Sequence, residues 1–472
     1  MPRPTETTQA RPVVVDLDGP APDAWPKIER ALLDRVDLEK SRPSQIPKDA
    51  FKLDRMHAIM EALGNPHRDV RTIHIAGSKG KGSTAEMTAA ALAGCGYAVG
   101  LYTSPHLVDL RERIRIGNDP IDRPHAADVL ERVARAAAPA EKKHGPASFF
   151  EILTAAAFTH FADLAVDIAV IEVGLGGRLD STNVITPMAC GLTAIHLEHT
   201  ALLGSTLPEI AREKAGIMKP GVRAVSVPQP PEVLAVFRET AERVGARLDV
   251  LGETIEFSHR FEYAPDLGPH HEVCLTTPRS NFEHIPVPLK GEHQAYNASL
   301  VLALLDALRE QGFPIRDREV AQGLARTPNA GRLEVLWNNP RILADGAHTR
   351  ESVEALIKTI GSTLKFDNLI MVFGCAADKD TQGMLAKLAA GADKIIFTKA
   401  TDSARAAEPR DLQRRFAEVS GKMTQTAPTV KDALNLAAKA AQRGDLICAT
   451  GSFLIAGEAK RLLLEKSKSV SP

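Results

Sequence analysis

Apolar and polar positions alternate along this chain with two different periods, and the switches between them mark its elements. From Phe51 the segment FKLDRMHAIMEALG carries apolar residues at helical spacing and stops at Gly64, which predicts a helix. RTIHIAG reads as a short strand running into a glycine-rich turn, and STAEMTAAALAGCG as a helix of strong helix formers. YAVGLYTSPH, DIAVIEVGLGG and ACGLTAIHLEH are further apolar runs that end in polar or glycine-rich residues. Near-continuous apolar runs predict strands covered on both faces, as in a parallel sheet.

Residues 252–290 break this rhythm with short β-like pieces among Pro, Gly and His, which predicts antiparallel hairpins. GEHQAYNASLVLALLDALREQG then predicts a long helix, and TPNAGR a hinge. From Leu333 a second alternating set begins, with RILADGAH, NLIMVFGC, KIIFTKA and DLICATGS as strands. The expected fold is α/β: a larger, mostly parallel-sheet domain followed by a smaller Rossmann-like α/β domain. The expected boundaries are a loosely ordered tail over 1–45, a central domain over 46–326 and a C-terminal domain over 327–472. The tail assignment rests on the Pro-rich, charged and weakly periodic start of the chain.

Composition narrows the function. Among 472 residues, Lys+Arg is 58 and Asp+Glu is 59, so no basic excess exists to coat nucleic acid. Aromatic residues are 4%, too few for a base-stacking platform. No apolar run reaches the roughly 20 residues of a membrane span, and the start has no apolar signal-like stretch. The expected setting is the cytoplasm, with small molecules as partners, no nucleic acid and no membrane. Five cysteines without a CxxC pair support neither a disulfide framework nor a zinc ribbon, and Cys95, Cys190 and Cys448 read as small buried residues.

The first candidate for chemistry is the loop Gly77-Ser78-Lys79-Gly80-Lys81-Gly82-Ser83 between predicted strand and helix. Glycines let the backbone curl its N–H groups toward an anion, and the helix that follows adds its N-terminal dipole. Lys81 can bring an ammonium between outer phosphates, and Ser83 can donate to a phosphate or order a metal. The strict Walker pattern is not met, because Ile75 stands where glycine is needed and Gly82 where Ser or Thr follows the lysine.

This loop resembles the GTNGKGS of folylpolyglutamate synthases and dihydrofolate synthases, a branch of the Mur ligases. The resemblance runs from about Phe51 to Glu458 through TSPHLVDLRERI, FFEILTAAAF, EVGLGGRLDSTNV, HLEHTALLGSTLPEIAREKAGIMKPG, GEHQAYNA, GRLE and DGAH, in that order. It implies that ATP phosphorylates a carboxylate and that the amine of L-glutamate attacks the acyl phosphate. The carboxylate would belong to a folate's γ-glutamyl tail or to dihydropteroate. It further implies Mg²⁺, two ions with a monovalent cation as a further candidate, and a monomeric enzyme. Ser104, Glu172 and His199 would surround one metal, and Lys214, carbamylated, would help hold a second. Lys81, Lys214, His199 and His348 become the catalytic candidates. Gln294, Asn297, Arg332 and Asp345 join the loop as ATP-binding candidates. Ser148, Phe149, Phe150, Glu151, Leu179, Asp180 and Ser181 become the acceptor-binding ones. Phe149 and Phe150 are equally readable as core.

The sequence departs from the family pattern at Lys79, Glu198 and Thr349, and before Gly331, where the usual Trp-Pro is missing. Two other readings stay open: a Mur-type ligase acting on a non-folate carboxylate, and a non-catalytic nucleotide-binding protein on the same scaffold.

Overall fold

The computed structural model describes residues 24–36, 52–401 and 403–470. The first sheet has eight strands in the order β4-β3-β2-β5-β1-β6-β7-β8. They are β1 (Thr72–Ala76), β2 (Val99–Tyr102), β3 (Ile114–Ile116), β4 (Asp119–Pro120), β5 (Ile168–Glu172), β6 (Ala189–Leu192), β7 (Arg223–Ser226) and β8 (Arg247–Val250). From β2 to β8 all neighbours are parallel, whereas β3 and β4 add an antiparallel edge. The strand β1 is buried throughout, as its unbroken TIHIA run requires.

Helices cover both faces of this sheet: α2 (Leu53–Ala62), α3 (Lys81–Gly94), α4 (Arg123–His144), α5 (Phe149–Asp163), α6 (Thr200–Leu203), α7 (Leu207–Ala215) and α8 (Pro231–Val244). Strands β9 (Glu256–Ala264), β10 (Gly268–Thr276) and β11 (Asn281–Pro286) form a separate antiparallel sheet. The helix α9 (Glu292–Glu310) is buried along most of its length and carries the core between that sheet and the first. After α10 (Asp317–Leu324) the chain crosses to the second domain.

That domain has six strands in the order β12-β13-β17-β14-β15-β16, with β12 alone antiparallel. They are β12 (Glu334–Asn338), β13 (Arg341–Ala344), β14 (Leu369–Phe373), β15 (Lys394–Phe397), β16 (Thr424–Thr426) and β17 (Leu446–Thr450). Its helices are α11 (Arg350–Thr363), α12 (Thr381–Gly391), α13 (Pro409–Val419), α14 (Val430–Ala440) and α15 (Phe453–Val470). No described helix is long and apolar enough to cross a membrane.

The expected tail needs correction over residues 24–36. A helix, α1 (Ala24–Leu33), lies there with Trp25 and Leu32 buried in the core that α4 and α5 share. Its apolar residues gain by covering that core, which a loose segment would leave wet. Arg35 pairs with Glu141 and donates to the Ala147 carbonyl, and the Phe149 N–H donates to the Val36 carbonyl. The rest of the expected tail, and the expected domain start at 46, lie outside the described residues.

Candidate functional site

A cavity of 1210 Å³ opens between the two domains. Its walls are the phosphate loop and the residues just past β2, β5 and β6 on one side, and those past β13, β14, β15 and β17 on the other. Binding beyond the carboxyl ends of parallel strands is the general rule for such sheets. The volume exceeds the roughly 300–1,000 Å³ of a single small-ligand pocket, so the cleft has room for more than one substrate.

The phosphate loop leaves β1 at Ala76 and enters α3 at Lys81. Not every amide in it faces the cavity. The Ser78 and Lys79 N–H groups both donate to the Ala194 carbonyl, at 2.9 and 3.1 Å. The remaining donors are those at the start of α3, which have no intrahelical partner. Gly80 sits there at φ +95° beneath the Asn297 amide, and a side chain on it would be strained and would collide. Gly82 is needed for a different reason: a Cβ would lie 2.6 Å from Arg332 Nη2. The missing Walker Ser or Thr is therefore replaced by room for a guanidinium. Ser83 accepts from Gln294 Nε2 at 3.2 Å, and Gln294 accepts from Asn297 Nδ2 at 2.9 Å. Both line the cavity, and this chain of bonds links α9 to the loop.

Two lysines converge on one carbonyl. Lys81 Nζ and Lys214 Nζ donate to Gly77 O at 3.1 and 2.8 Å. Lys214, in the last turn of α7, is 3% exposed. Burial, with the Lys81 charge beside it, pushes its amine down to about 7. A neutral amine is the form that takes up CO₂. Glu172 ends β5 with 4% exposure and accepts from the Ser104 N–H at 3.0 Å. Burial raises its carboxyl to about 7, against the opposing pull of Lys81 and Arg332. His199 is exposed at the cleft, with Nε2 3.6 Å from Glu198 Oε1. These donors fit a hard divalent ion. No three described His, Cys, Asp or Glu side chains form a ready cage; a magnesium site would need only one or two of them, with substrate phosphates and water completing it.

Three candidate residues of the second domain line the cavity. Arg332, just before β12, lies over Gly82. Asp345 accepts from the Leu333 and Ala347 N–H groups, both at 2.9 Å, and burial raises its carboxyl to about 6. It thus ties the hinge to the end of β13 while lining the cavity. His348 Nε2 lies 3.2 Å from Lys79 Nζ, which also donates to Glu198 at 3.1 Å.

Ser148, Phe150, Glu151, Leu179, Asp180 and Ser181 line the same cleft. Phe149 does not. It is 1% exposed within the core, with the Arg113 guanidinium 5.2 Å from its ring centre, so the two readings of the Phe pair divide between its members. Neighbouring helical residues point about 100° apart, and only Phe150 faces the cavity. Glu151 completes a capping box with Ser148 and takes a fork of bonds from Arg55 of α2, the closest at 2.8 Å. Asp180 accepts from the Leu175 N–H at 2.8 Å and caps the short turn Ser181–Val184. Both carboxylates shape the wall before any substrate arrives.

Residues 75–305 match the family model for the Mur ligase middle domain, and residues 331–453 that for the Mur ligase glutamate ligase domain. A dihydrofolate synthase/folylpolyglutamate synthase of Bacillus subtilis is 34% identical over 414 residues, which span 87% of this chain and 94% of the relative. The chain belongs to the dihydrofolate synthase/folylpolyglutamate synthase family. The structure agrees: Mycobacterium tuberculosis folylpolyglutamate synthase, solved with ADP and AMPPCP, superposes with a TM-score of 0.84 at 32% identity, covering 93% of this chain and 98% of that one. The E. coli FolC complex with DHPP and ADP superposes with a TM-score of 0.80 at 25% identity, covering 93% and 98%.

Some lining residues of this family member escaped the sequence reading. Lys379 and Lys399 stand just past β14 and β15, where the strand-end rule would have found them. The Arg115–Glu86 ion pair gave no such signal, because only packing brings it to the cleft.

Proposed function

We propose that the protein joins L-glutamate to a folate-type carboxylate, using ATP and passing through an acyl phosphate. One observation supports this most: Lys81, Glu172 and Arg332 line the same cleft as Phe150, Leu179 and Asp180, and the buried Lys214 backs the phosphate loop through Gly77 O. Two anions must be brought together before phosphoryl transfer, so placed cations matter more than covalent chemistry. Lys81 and the α3 amides hold the phosphates, and Arg332 balances the charge that spreads over the moving group. An acceptor carboxylate oxygen attacks the γ-phosphorus as ADP leaves. The glutamate nitrogen then attacks the acyl carbon, and phosphate departs as the amide forms. Glu172, His199 and Ser104, and Lys214 if carbamylated, would hold Mg²⁺, which neutralises phosphate charge.

The acceptor is a pterin-bearing acid or a folate tail. Phe150 offers a flat apolar face to the cleft, and a relative of the same fold takes DHPP together with ADP. On this reading the enzyme works as a cytoplasmic monomer.

Purified protein with Mg-ATP and L-glutamate should release phosphate with dihydropteroate or tetrahydrofolate. Release only with a UDP-sugar peptide would overturn the folate assignment. ATP binding without release for any acceptor would favour a non-catalytic role.

A further inference from the structure

Lys79 stands on the phosphate loop, yet its ammonium does not point at free space. It bonds Glu198 Oε1 at 3.1 Å and His348 Nε2 at 3.2 Å, and His348 Nε2 is itself 3.5 Å from that carboxylate oxygen. His348 Nδ1 lies 2.8 Å from the Gly346 carbonyl, which can only accept. The proton is therefore on Nδ1, and the neutral ring presents Nε2 as an acceptor to Lys79. The Glu198 side chain is 8% exposed and the Lys79 side chain 22%. Lys79 and Glu198 belong to the first domain, and His348 follows the first parallel strand of the second.

We propose that Lys79, Glu198 and His348 form an interdomain latch: positioning residues that seat the second domain on the phosphate loop and thereby set the cleft for ligation. Lys79 is then not a phosphate ligand through its ammonium. Glu198 already neutralises that charge, and Lys81 and Arg332 remain as the cations facing the phosphates. The exposed Lys358–Glu292 pair also crosses between the domains, but its side chains are 71% and 47% exposed, so water screens it. The shielded cluster is the directional contact. Its neutral imidazole acceptor sets geometry: His348 meets the ammonium only when Gly346 and the end of β13 are seated. A seated domain excludes water, and water would otherwise hydrolyse the acyl phosphate.

This inference rests on the ligase reading, so its test has two independent arms. In the first, amide and phosphate are measured separately for the full chain and for Glu198→Gln, His348→Ala, Lys79→Gln and the Lys79→Gln/Glu198→Gln pair. Each single variant should lose at least tenfold in kcat and release more than one phosphate per amide, and His348→Ala, which touches no proposed metal ligand, should hold Mg-ATP within about twofold of the parent. The double variant should be no worse than the poorer single, because one device has been removed once. Glu198→Asp, which keeps the charge, should recover part of the coupling. The second arm needs no turnover: small-angle scattering with Mg-AMPPCP should show the parent compact and both Glu198→Gln and His348→Ala more extended. Variants that close like the parent, or that lose ATP affinity while keeping kcat and one phosphate per amide, would overturn the latch. If the parent forms no amide with any acceptor, the ligase reading fails, and the scattering still decides the latch.

Discussion

A single buried amine sets the most direct pH dependence. Lys214 loses its proton at about 7 because it is buried beside Lys81. An unfolded lysine keeps its proton to about 10.4. Between those values the unfolded chain binds more protons, so this group's contribution to stability rises with pH from about 7 upward and is lost as pH falls through it. The neutral amine accumulates over the same range. We expect ¹³C-bicarbonate to give a carbamate signal that grows above pH 7 and vanishes in Lys214→Ala, with kcat falling ~100-fold or more in that variant. Unchanged turnover would reject the carbamate role. Glu172 ionises at about 7 as well, so Mg²⁺ should raise the unfolding temperature more at pH 8 than at pH 5.5. Equal shifts at both values would argue that Glu172 does not hold the ion.

Between elements, the start of α5 is held against α2 by an ion pair. Arg55 of α2 forks onto Glu151 at the start of α5, with side-chain exposures of 9% and 4%. Removing one partner of such a buried pair strands the other charge, at a cost of about 3–5 kcal/mol. Glu151→Ala should therefore lower stability in urea unfolding by that order. It should also raise the acceptor KM while the ATP KM stays put, since Glu151 bonds Arg55 and Ser148 and no residue of the phosphate loop. An equal rise in both KM values would show a general collapse instead. The helix α1 supports the same wall, because Val36 and Arg35 bond the segment that leads into α5. Its pattern of Trp25 and Leu32 was present in the sequence, but proline and charge around it masked ten helical residues.

For the whole molecule, the site exists only where the two domains meet. Arg332 leaves the hinge and covers Gly82 of the first domain, so closure and charge balance are one event. Arg332→Ala should cut kcat/KM for ATP by ~100-fold, with each domain's fold intact by circular dichroism. Gly82→Ala should act in the same direction, because its methyl group displaces that guanidinium; wild-type kinetics in Gly82→Ala would show that Arg332 does not work from this position.

Strand and helix periodicity, read locally, determined the two alternating α/β domains, the hairpins between them and the strand–loop–helix of the phosphate site. Those features depend on neighbours along the chain, where hydrophobic period and glycine position are visible. The motif residues Lys81, Glu172, Lys214 and Arg332 were visible too, because each stands in a distinctive local run. Tertiary structure alone decided what surrounds the candidate residues. It placed Phe149 in the core and Phe150 in the cleft. It linked Gln294 and Asn297 to the loop, and drew Lys79 to Glu198 and His348. Burial, charge pairing and hydrogen-bond partners come from residues up to 269 positions apart, and no local pattern along the chain carries that information.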